Sequence, residues 1–325
     1  MNVYIEERVW DHPRTTRLCS FFPKANIIPI KHYKNIFDTY QPNPGHPTWI
    51  IAYADGEIIQ EAPTGYGHSS QGFFFKTSLN CLYDCAYCYL KGAFRNDFPV
   101  HFVNYDDIQD VISKKNAVLT EHGSQTPIWW YASDWSDTIG FDQFLGWTES
   151  FFPFFQTQET MMVELRTKAP SIQHLLTVSS IPCNVEIAYS LNPQVLIDRY
   201  EKGTASLHQR ISNCKQLMNA GYKVGLRLMP LLPVPGYEEI YKEFMAYVAQ
   251  EFSGYELFSV FFGGLLYTHE DYKRMLRKVG DVDVLHRLSR DADGMWREDR
   301  VVRERLADLV QHYFPYCQIC MDEID

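Results

Sequence analysis

The chain has 325 residues, of which 46% are hydrophobic, 15% aromatic and 22% charged, and this length predicts about two domains or one large α/β unit. The composition excludes a disordered, collagenous or coiled-coil chain. The net charge of −10 argues against a protein that grips nucleic acid over its whole surface, although it allows a local basic groove.

The first 17 residues are charged throughout and lack the apolar run of a secretory signal. No segment approaches the roughly 18 uninterrupted apolar residues that a membrane helix needs. We therefore expect a cytoplasmic, reducing environment. The chain has eight cysteines, and in such a compartment clustered cysteines bind metal or do chemistry more often than they form disulfides.

The pattern of residues divides the chain into three parts. Residues 1–70 are rich in proline and form an accessory segment, in which Asp55-Gly56 predicts the turn of a β-hairpin. Residues 71–268 alternate short apolar runs with longer amphipathic ones, which indicates repeated strand-helix units. Residues 269–325 are predicted to form a charged, helical C-terminal extension.

Six strands are predicted in the central part, at residues 73–76, 128–132, 161–165, 185–189, 224–229 and 257–262. One of the intervening helices is predicted to begin after Ser206, its N-cap, and to stop at Gly221. Each connection is long enough to make its flanking strands parallel. The pattern therefore predicts a curved parallel sheet, either an incomplete (β/α) barrel or an open doubly wound sheet.

Three cysteines follow the first of these strands in C-x3-C-x2-C spacing, namely Cys81, Cys85 and Cys88. In parallel α/β folds, the loops after the carboxyl ends of strands carry the active site. Three thiolates on one loop can hold three irons of a 4Fe-4S cluster and leave the fourth iron open to S-adenosylmethionine. A structural zinc site is the alternative, but zinc prefers four ligands and no further cysteine or histidine follows closely.

The stretch CLYDCAYCY resembles the cluster motif of radical S-adenosylmethionine enzymes. Five further stretches resemble the spore photoproduct lyase family, namely IPIKHYKNIFDTYQ, SDTIGFD, ELRTKAP, EIAYSLNPQVLIDRYEKGTASLHQRI and AGYKVGLRLMP. The resemblance implies a partial (β/α)6 barrel of the radical SAM type, with a 4Fe-4S cluster and S-adenosyl-L-methionine as cofactors. It implies a lyase-like reaction in which a 5'-deoxyadenosyl radical abstracts hydrogen from substrate, with a thymine photoproduct in DNA as the candidate substrate. An external one-electron reductant such as flavodoxin or ferredoxin is implied as a partner.

The resemblance also assigns residues around the cluster. The three cysteines would ligate it, and Tyr87 and Tyr89 match two tyrosines that the family is thought to use in passing a radical back toward the cofactor. Packing against the cluster loop is the alternative for both tyrosines.

Polar residues at strand ends match the family's cofactor contacts, namely Ser136, Lys168, Ser190 and Asn192. Lys168 can offset the methionine carboxylate, and the serine and asparagine side chains can hydrogen-bond ribose hydroxyls. Alternatively, Lys168 extends from its strand end toward water, and Ser190 and Asn192 cap the next helix. Arg227, between two leucines, is predicted to face the barrel interior and hold the cofactor carboxylate or an anionic substrate, or else to pair with a barrel acid.

One position departs from the family pattern. The lyase needs a hydrogen-donor cysteine two residues before the serine that aligns with Ser136, and here Asp134 stands there. A carboxylate has no weak S–H bond to give, so another residue donates or the reaction differs, with Asp134 as a base or a substrate-positioning acid. Cys317 and Cys320 could donate instead, form half of a metal site or a redox pair, or be incidental.

Two other functions stay open at this point. The chain could be a homologue that acts on a nucleoside, another small molecule or a peptide. It could also be a non-catalytic iron-sulfur or zinc protein that senses redox state, although a mere cluster carrier has no need of the matched cofactor residues. Trp135, near the end of the second strand, could stack on a nucleobase or on adenine.

Overall fold

The computed structural model describes residues 1–39, 47–68, 71–123 and 127–320. In these ranges the strands are β1 (Asn2–Glu6), β2 (Asn26–Ile30), β3 (Thr48–Ala52), β4 (Ile59–Glu61), β5 (Gly72–Phe75), β6 (Ser78–Leu79), β7 (Asp84–Cys85), β8 (Val100–Phe102), β9 (Ile128–Tyr131), β10 (Met161–Thr167), β11 (Val185–Ser190), β12 (Glu201–Lys202), β13 (Lys223–Leu228), β14 (Ser259–Phe262), β15 (Ser289–Arg290), β16 (Trp296–Arg297) and β17 (Gln318–Ile319).

The α-helices of the same ranges are α1 (Pro13–Ser20), α2 (Lys34–Phe37), α3 (Leu90–Ala93), α4 (Tyr105–Glu121), α5 (Thr138–Leu145), α6 (Trp147–Gln156), α7 (Gln173–Leu176), α8 (Gln194–Tyr200), α9 (Leu207–Asn219), α10 (Tyr237–Glu251), α11 (His269–Val279) and α12 (Arg300–Tyr313). None of the helices in the described part of the chain has the length and apolar character to cross a membrane.

The larger sheet is a curled, partial barrel with strand order β17-β14-β13-β11-β10-β9-β5-β4. The six predicted strands are its β5, β9, β10, β11, β13 and β14, and each pairs in parallel with the next. The sheet curls enough for one side chain to touch distant strands. The ring of His68 stacks on Trp129 of β9, with centroids 3.6 Å apart, and lies 4.8 Å from Phe261 of β14. The predicted parallel sheet is therefore confirmed, in its partial-barrel form.

Side chains of the barrel strands alternate between the lumen and the surrounding helices. On β10, Glu164 and Arg166 point into the lumen, whereas Val163 and Leu165 are fully buried in the outer core under the helices. The prediction for α9 is also confirmed, because Ser206 caps it and accepts a hydrogen bond from the Gln209 backbone nitrogen at 3.2 Å.

The second sheet lies beside the barrel and has the order β2-β1-β3-β8-β6. Strand β3 is buried along its whole length and needs a partner on each side, which β1 and β8 supply. Strand β4 instead pairs with β5 of the barrel. The hairpin predicted around Asp55-Gly56 is therefore wrong, because its two strands belong to different sheets. Strands β6 and β8 also belong to this sheet, although they come after residue 70. The division of the chain into three parts at residues 70 and 268 stays a prediction.

The C-terminal extension contains the predicted helices α11 and α12 but returns to the barrel. Its last strand, β17, pairs in parallel with β14, with Gln318 opposite Phe261. Helix α11 holds the segment after the cysteines, because Arg274 Nε donates to the Gly92 carbonyl and Lys278 Nζ to the Phe94 carbonyl, both at 2.6 Å. The extension thus supports the loop on which chemistry was predicted.

Candidate functional site

The three predicted cluster cysteines lie on the loop between β6 and α3, beyond the carboxyl end of β5. Asn80, just before Cys81, has a φ of +62°, and its side-chain amide donates to the Asn96 carbonyl at 3.0 Å and the Phe98 carbonyl at 3.1 Å. Strand β7 within the loop pairs with β12, which places Cys85 opposite Glu201. The loop is therefore held at its start and at its middle.

The three thiols lie in surroundings that call for a cation. Burial raises the pKa of each thiol, that of Cys85 to about 12, so their thiolates need a cation to stabilise them. The irons of an iron-sulfur cluster are such cations, and each of the three cysteines would bind a different iron.

Tyr87 belongs to a buried polar network beside the cysteines. Its hydroxyl donates to Glu201, which also accepts from Asn192 Nδ2 at 2.9 Å and from Arg210 Nη2 at 2.5 Å. Burial by itself would raise the pKa of Glu201, but the charges of Arg210 and Lys168 lower it. Glu201 is thus an ionised, fully partnered acid, and nothing in the sequence around it indicates this role.

Asp134 and Tyr89 lie together at the carboxyl end of β9. The Tyr89 hydroxyl donates to the Asp134 backbone carbonyl and to its Oδ2, the latter at 2.9 Å. The hydroxyl of Tyr66 donates to the other carboxylate oxygen, Oδ1, at 3.1 Å. Burial raises the pKa of the Asp134 carboxyl, and the hydrogen bond from Tyr89 and the charge of Arg166 oppose that rise. Tyr66 was missed by sequence reasoning.

Ser136, Lys168 and Ser190, three of the predicted cofactor contacts, lie at the carboxyl ends of neighbouring barrel strands. Ser136 Oγ is buried and has no hydrogen-bond partner in the described part of the chain. Lys168 Nζ lies 6.0 Å from the centre of the Tyr87 ring, and its charge opposes the burial that raises the pKa of Cys85. An unpaired hydroxyl and a cation beside the cysteine loop fit a ligand with a carboxylate and hydroxyl groups.

The helix-capping alternative for Ser190 and Asn192 is wrong. Helix α8 starts after Pro193 and has no side-chain cap, and Ser190 is 3% exposed. The Asn192 amide is already engaged, because Nδ2 donates to Glu201 and Oδ1 accepts from Tyr241 at 3.4 Å. We therefore expect Asn192 to hold Glu201 in place beside Tyr87. Of the two side chains, we expect Ser190 to be the one available to a cofactor.

Arg227 faces the lumen as predicted, and it pairs there with barrel acids. Its Nη2 lies 2.6 Å from Glu164 Oε2 and 3.0 Å from Glu186 Oε1. Its Nη1 donates to the Leu226 carbonyl at 3.1 Å and to Ser259 Oγ at 2.8 Å, and its Nε to Glu164 at 3.3 Å. All five N–H groups are used and the side chain is fully buried. These contacts are those of the second predicted alternative, an ion pair with barrel acids.

The guanidinium of Arg227 also lies among three side chains below the site that could otherwise bind a metal ion. One ligand atom each of His68, Glu164 and Glu186 lies within 4.8 Å of the others. Arg227 Nη2 contacts all three, at 3.4 Å from His68 Nε2 and at the distances above from the two carboxylates. The position of a cation is therefore taken by the arginine, which supplies the positive charge that the two acids require.

A cleft of about 230 Å³ opens next to Trp135, between the barrel and the second sheet. Aromatic and basic side chains line much of it, among them Tyr33, Lys34, Lys76, Phe94, Phe102 and Trp135. Lys76 Nζ lies 4.9 Å from the centre of the Trp135 indole, and burial lowers the pKa of this lysine. An aromatic face beside an ammonium group suits a flat ring that carries an anion.

The remaining cysteines separate by the face on which they lie. Cys320 faces the lumen, where it is 8% exposed and clusters with aromatic side chains. Cys317 instead packs against the outer core. All are free thiols. Because the two point to opposite faces, this geometry does not favour a shared metal site or a redox pair. Cys214 is fully buried in the outer core and Cys183 is exposed.

Comparison with known proteins gives one consistent family. The model of the spore photoproduct lyase family matches residues 68–279. Among curated relatives, the spore photoproduct lyase of Geobacillus sp. (strain Y412MC61) is 25% identical over 185 residues, which cover 55% of this chain and 52% of the relative. The lyase of Bacillus subtilis (strain 168) is 24% identical over 165 residues, which cover 51% and 47%. The chain thus matches about half the length of these curated relatives.

Solved structures match over nearly the whole fold. Spore photoproduct lyase complexed with dinucleoside spore photoproduct superposes with a TM-score of 0.79 at 19% identity, covering 98% of this chain and 97% of that chain. A mutant of that lyase with bound AdoMet and dinucleoside spore photoproduct gives a TM-score of 0.78 at 18% identity with the same coverage. The described architecture is therefore that of these proteins.

Proposed function

The chain belongs to the spore photoproduct lyase family, and on that premise we propose that it is a radical S-adenosylmethionine enzyme. The observation that carries this proposal is the cysteine loop at the carboxyl edge of the barrel, with Lys168 and the unpaired Ser136 hydroxyl on neighbouring strand ends. When bound, a 4Fe-4S cluster and S-adenosylmethionine supply one-electron chemistry that ends in hydrogen abstraction from substrate.

In this proposal, the protein's own residues hold the cofactors and keep water out. Cys81, Cys85 and Cys88 hold the cluster and leave one iron without a protein ligand. Lys168, Ser136 and Ser190 orient the amino acid and ribose parts of the cofactor through charge and hydrogen bonds. The lumen below is filled by aromatic side chains and by paired charges, which keeps bulk water away from the reacting groups.

Tyr87 and Tyr89 serve as redox-active side chains next to the cofactor. Each phenol donates a hydrogen bond to a buried acid, Tyr87 to Glu201 and Tyr89 to Asp134. These acids fix the two hydroxyl groups in place, and Asp134 thereby gains a positioning role in this chain.

For the substrate we propose a thymine photoproduct in DNA. The curated relatives are spore photoproduct lyases, and one of the similar solved structures is complexed with dinucleoside spore photoproduct, which supports this class. The cleft beside Trp135 supports it as well, because an indole face and two lysines suit a base and a phosphate. A second candidate substrate is a nucleoside, another small molecule or a peptide. Asp134 favours it, because this acid stands where the lyase has its hydrogen-donor cysteine.

We further propose a cytoplasmic location and an external reductant such as flavodoxin or ferredoxin.

Anaerobic reconstitution tests the cofactor part of the proposal. We expect about four irons per chain and, with dithionite and S-adenosylmethionine, release of 5'-deoxyadenosine. Cys81→Ala should lose both signals, whereas Cys183→Ala, which changes an exposed cysteine, should keep both. A wild-type protein that assembles no cluster, or a Cys81→Ala variant that retains one, would contradict the assignment.

Incubation with dinucleoside spore photoproduct tests the substrate part. We expect thymines to be restored, as followed by liquid chromatography, in a reaction that depends on the reductant. If 5'-deoxyadenosine forms but no thymine is restored, the cofactor chemistry stands and the second substrate class gains support.

A further inference from the structure

Tyr66 shares a buried carboxylate with Tyr89. Asp134 accepts from Tyr66 at Oδ1, 3.1 Å away, and from Tyr89 at Oδ2, 2.9 Å away, so one acid connects two phenols. Tyr89 belongs to the cysteine loop, whereas Tyr66 lies on the 62–68 loop that enters the lumen. The two tyrosines therefore reach the acid from two different loops.

The surroundings of Tyr66 disfavour any charge on its ring. The side chain is 7% exposed, and its ring packs edge-on against Phe74 and Tyr131 at 4.8 Å between centroids. The guanidinium of Arg166 lies 5.2 Å from the centre of the ring. A phenol that loses an electron becomes a cation unless it also loses its proton, and a second cation beside Arg166 in a buried site is costly. Oxidation of Tyr66 therefore requires a proton acceptor at its hydroxyl.

Asp134 is that acceptor, since its Oδ1 receives the hydrogen bond of the Tyr66 hydroxyl. We propose that Tyr66 is a redox-active tyrosine that passes a hydrogen atom to Tyr89 through Asp134. The electron leaves the Tyr66 phenol for the Tyr89 phenoxyl radical, which becomes a phenolate. The Tyr66 proton moves to Oδ1 of the ionised Asp134, and the carboxylic acid that results turns and delivers this same proton to the Tyr89 phenolate. One electron and one proton are thus transferred from Tyr66 to Tyr89, and Asp134 is again a carboxylate.

This inference rests on the proposed function for the first oxidising equivalent, which a substrate or cofactor radical provides at Tyr89. It gives Asp134 a task that a thiol at the same place would not have, because a carboxylate has two oxygens and can take up a proton from one phenol and deliver it to the other. It also makes Tyr66, deeper in the lumen, the end of the relay.

The simpler explanation is that the two tyrosines only satisfy the hydrogen bonding of a buried acid. Tyr131 offers a matched comparison, because it packs against Tyr66 but its hydroxyl donates to a backbone carbonyl, that of Tyr66, at 3.0 Å. A peptide carbonyl is a far weaker base than a carboxylate. If the proton acceptor matters, the two neighbouring tyrosines must differ in how fast they are oxidised.

A flash-photolysis experiment on the full chain tests this without turnover. Tyr66 or Tyr131 is replaced singly by 3-aminotyrosine, and a soluble ruthenium photo-oxidant generates the radical, whose rise is followed optically and by electron paramagnetic resonance. We expect the radical to form at position 66 about a hundredfold faster than at position 131, the size of general-base assistance. Asp134→Asn should remove that advantage. Equal rates at the two positions, or an unchanged rate at 66 in Asp134→Asn, would overturn the proposal.

A second experiment places the relay in the reaction. The reconstituted protein with 3-aminotyrosine at position 66 is mixed with S-adenosylmethionine, dithionite and dinucleoside spore photoproduct, and frozen. We expect an aminotyrosyl radical together with 5'-deoxyadenosine. Formation of 5'-deoxyadenosine with no radical at position 66 would refute the relay. If no 5'-deoxyadenosine forms, the proposed function has failed, and the flash experiment alone decides the redox character of Tyr66.

Discussion

Arg227 shows how a single buried side chain depends on distant partners. Strand alternation was enough to predict that it faces the lumen, since it lies between two outward-facing leucines. Its partners, Glu164 and Glu186, come from β10 and β11, and neither is marked in the sequence as the acid that pairs with it. Burial by itself would raise the pKa of Glu164, but Arg166 and Arg227 hold it below its usual range.

We expect Arg227→Met to lower the free energy of unfolding by about 3–5 kcal/mol, because its removal leaves Glu186 buried without a guanidinium partner and leaves Glu164 with Arg166 alone. Urea denaturation followed by circular dichroism measures this. The control is Arg305→Met, which breaks an exposed ion pair with Glu238 and should leave stability unchanged. An Arg227→Met variant as stable as the parent would show that the pair contributes little.

At the scale of elements, β8 shows why the second sheet is part of the folded core. This strand lies between β3 and β6. Its middle residue, His101, is fully buried, with ring centroids 4.4 Å from Phe141 and 5.2 Å from Trp49. The Nδ1 atom lies 3.2 Å from Ser78 Oγ, and Nε2 is buried with no hydrogen-bond partner in the described part of the chain. Such surroundings disfavour the imidazolium form.

Burial lowers the pKa of His101 to about 3, whereas an unfolded histidine titrates near 6.5. Between these values the unfolded chain binds the additional proton, so the free energy of unfolding falls as the pH drops from about 6.5 toward 3, by at most about 1.4 kcal/mol per pH unit. We expect His101→Gln to be less sensitive to acid in this window than the parent protein, as measured by urea midpoints from pH 7 to 4.

The exposed His286 provides the control for this pH series. His286→Gln should keep the parent's dependence on pH, because its side chain is about half exposed in the folded protein. Parallel curves for the parent and His101→Gln would contradict the assignment of the acid sensitivity to His101.

At the scale of the whole molecule, the lumen is filled by a loop from outside the barrel strands. Residues 62–68 bring Tyr66 and His68 between opposite walls of the barrel, where they contact β5, β9 and β14. Gly67 allows this path, since it has a φ of +68° and a Cβ there would collide with the Tyr131 hydroxyl. The open barrel therefore has a packed interior below its site.

We expect Gly67→Ala to destabilise the protein more than Gly65→Ala does. Both glycines have positive φ angles, so each substitution costs about 1–2 kcal/mol from backbone strain. Only at position 67 does the added methyl group meet Tyr131, which adds about 1–3 kcal/mol of overpacking. Thermal unfolding of the two variants measures the difference. Equal destabilisation would mean that the loop moves freely away from the wall.

The sequence by itself determined the features that local patterns encode. Alternation and helical spacing located the six barrel strands and α9 with its Ser206 cap, and the spacing of three cysteines after β5 located the loop for a cluster. Tertiary structure alone decided which distant groups meet. In the folded chain, β4 pairs with β5 and not with β3, and Arg227 forms ion pairs with two acids. Tyr66 binds Asp134, 68 residues away in sequence, and Tyr87 binds Glu201, 114 residues away. Contacts over such separations follow from how the sheet curls, and no local periodicity carries that information.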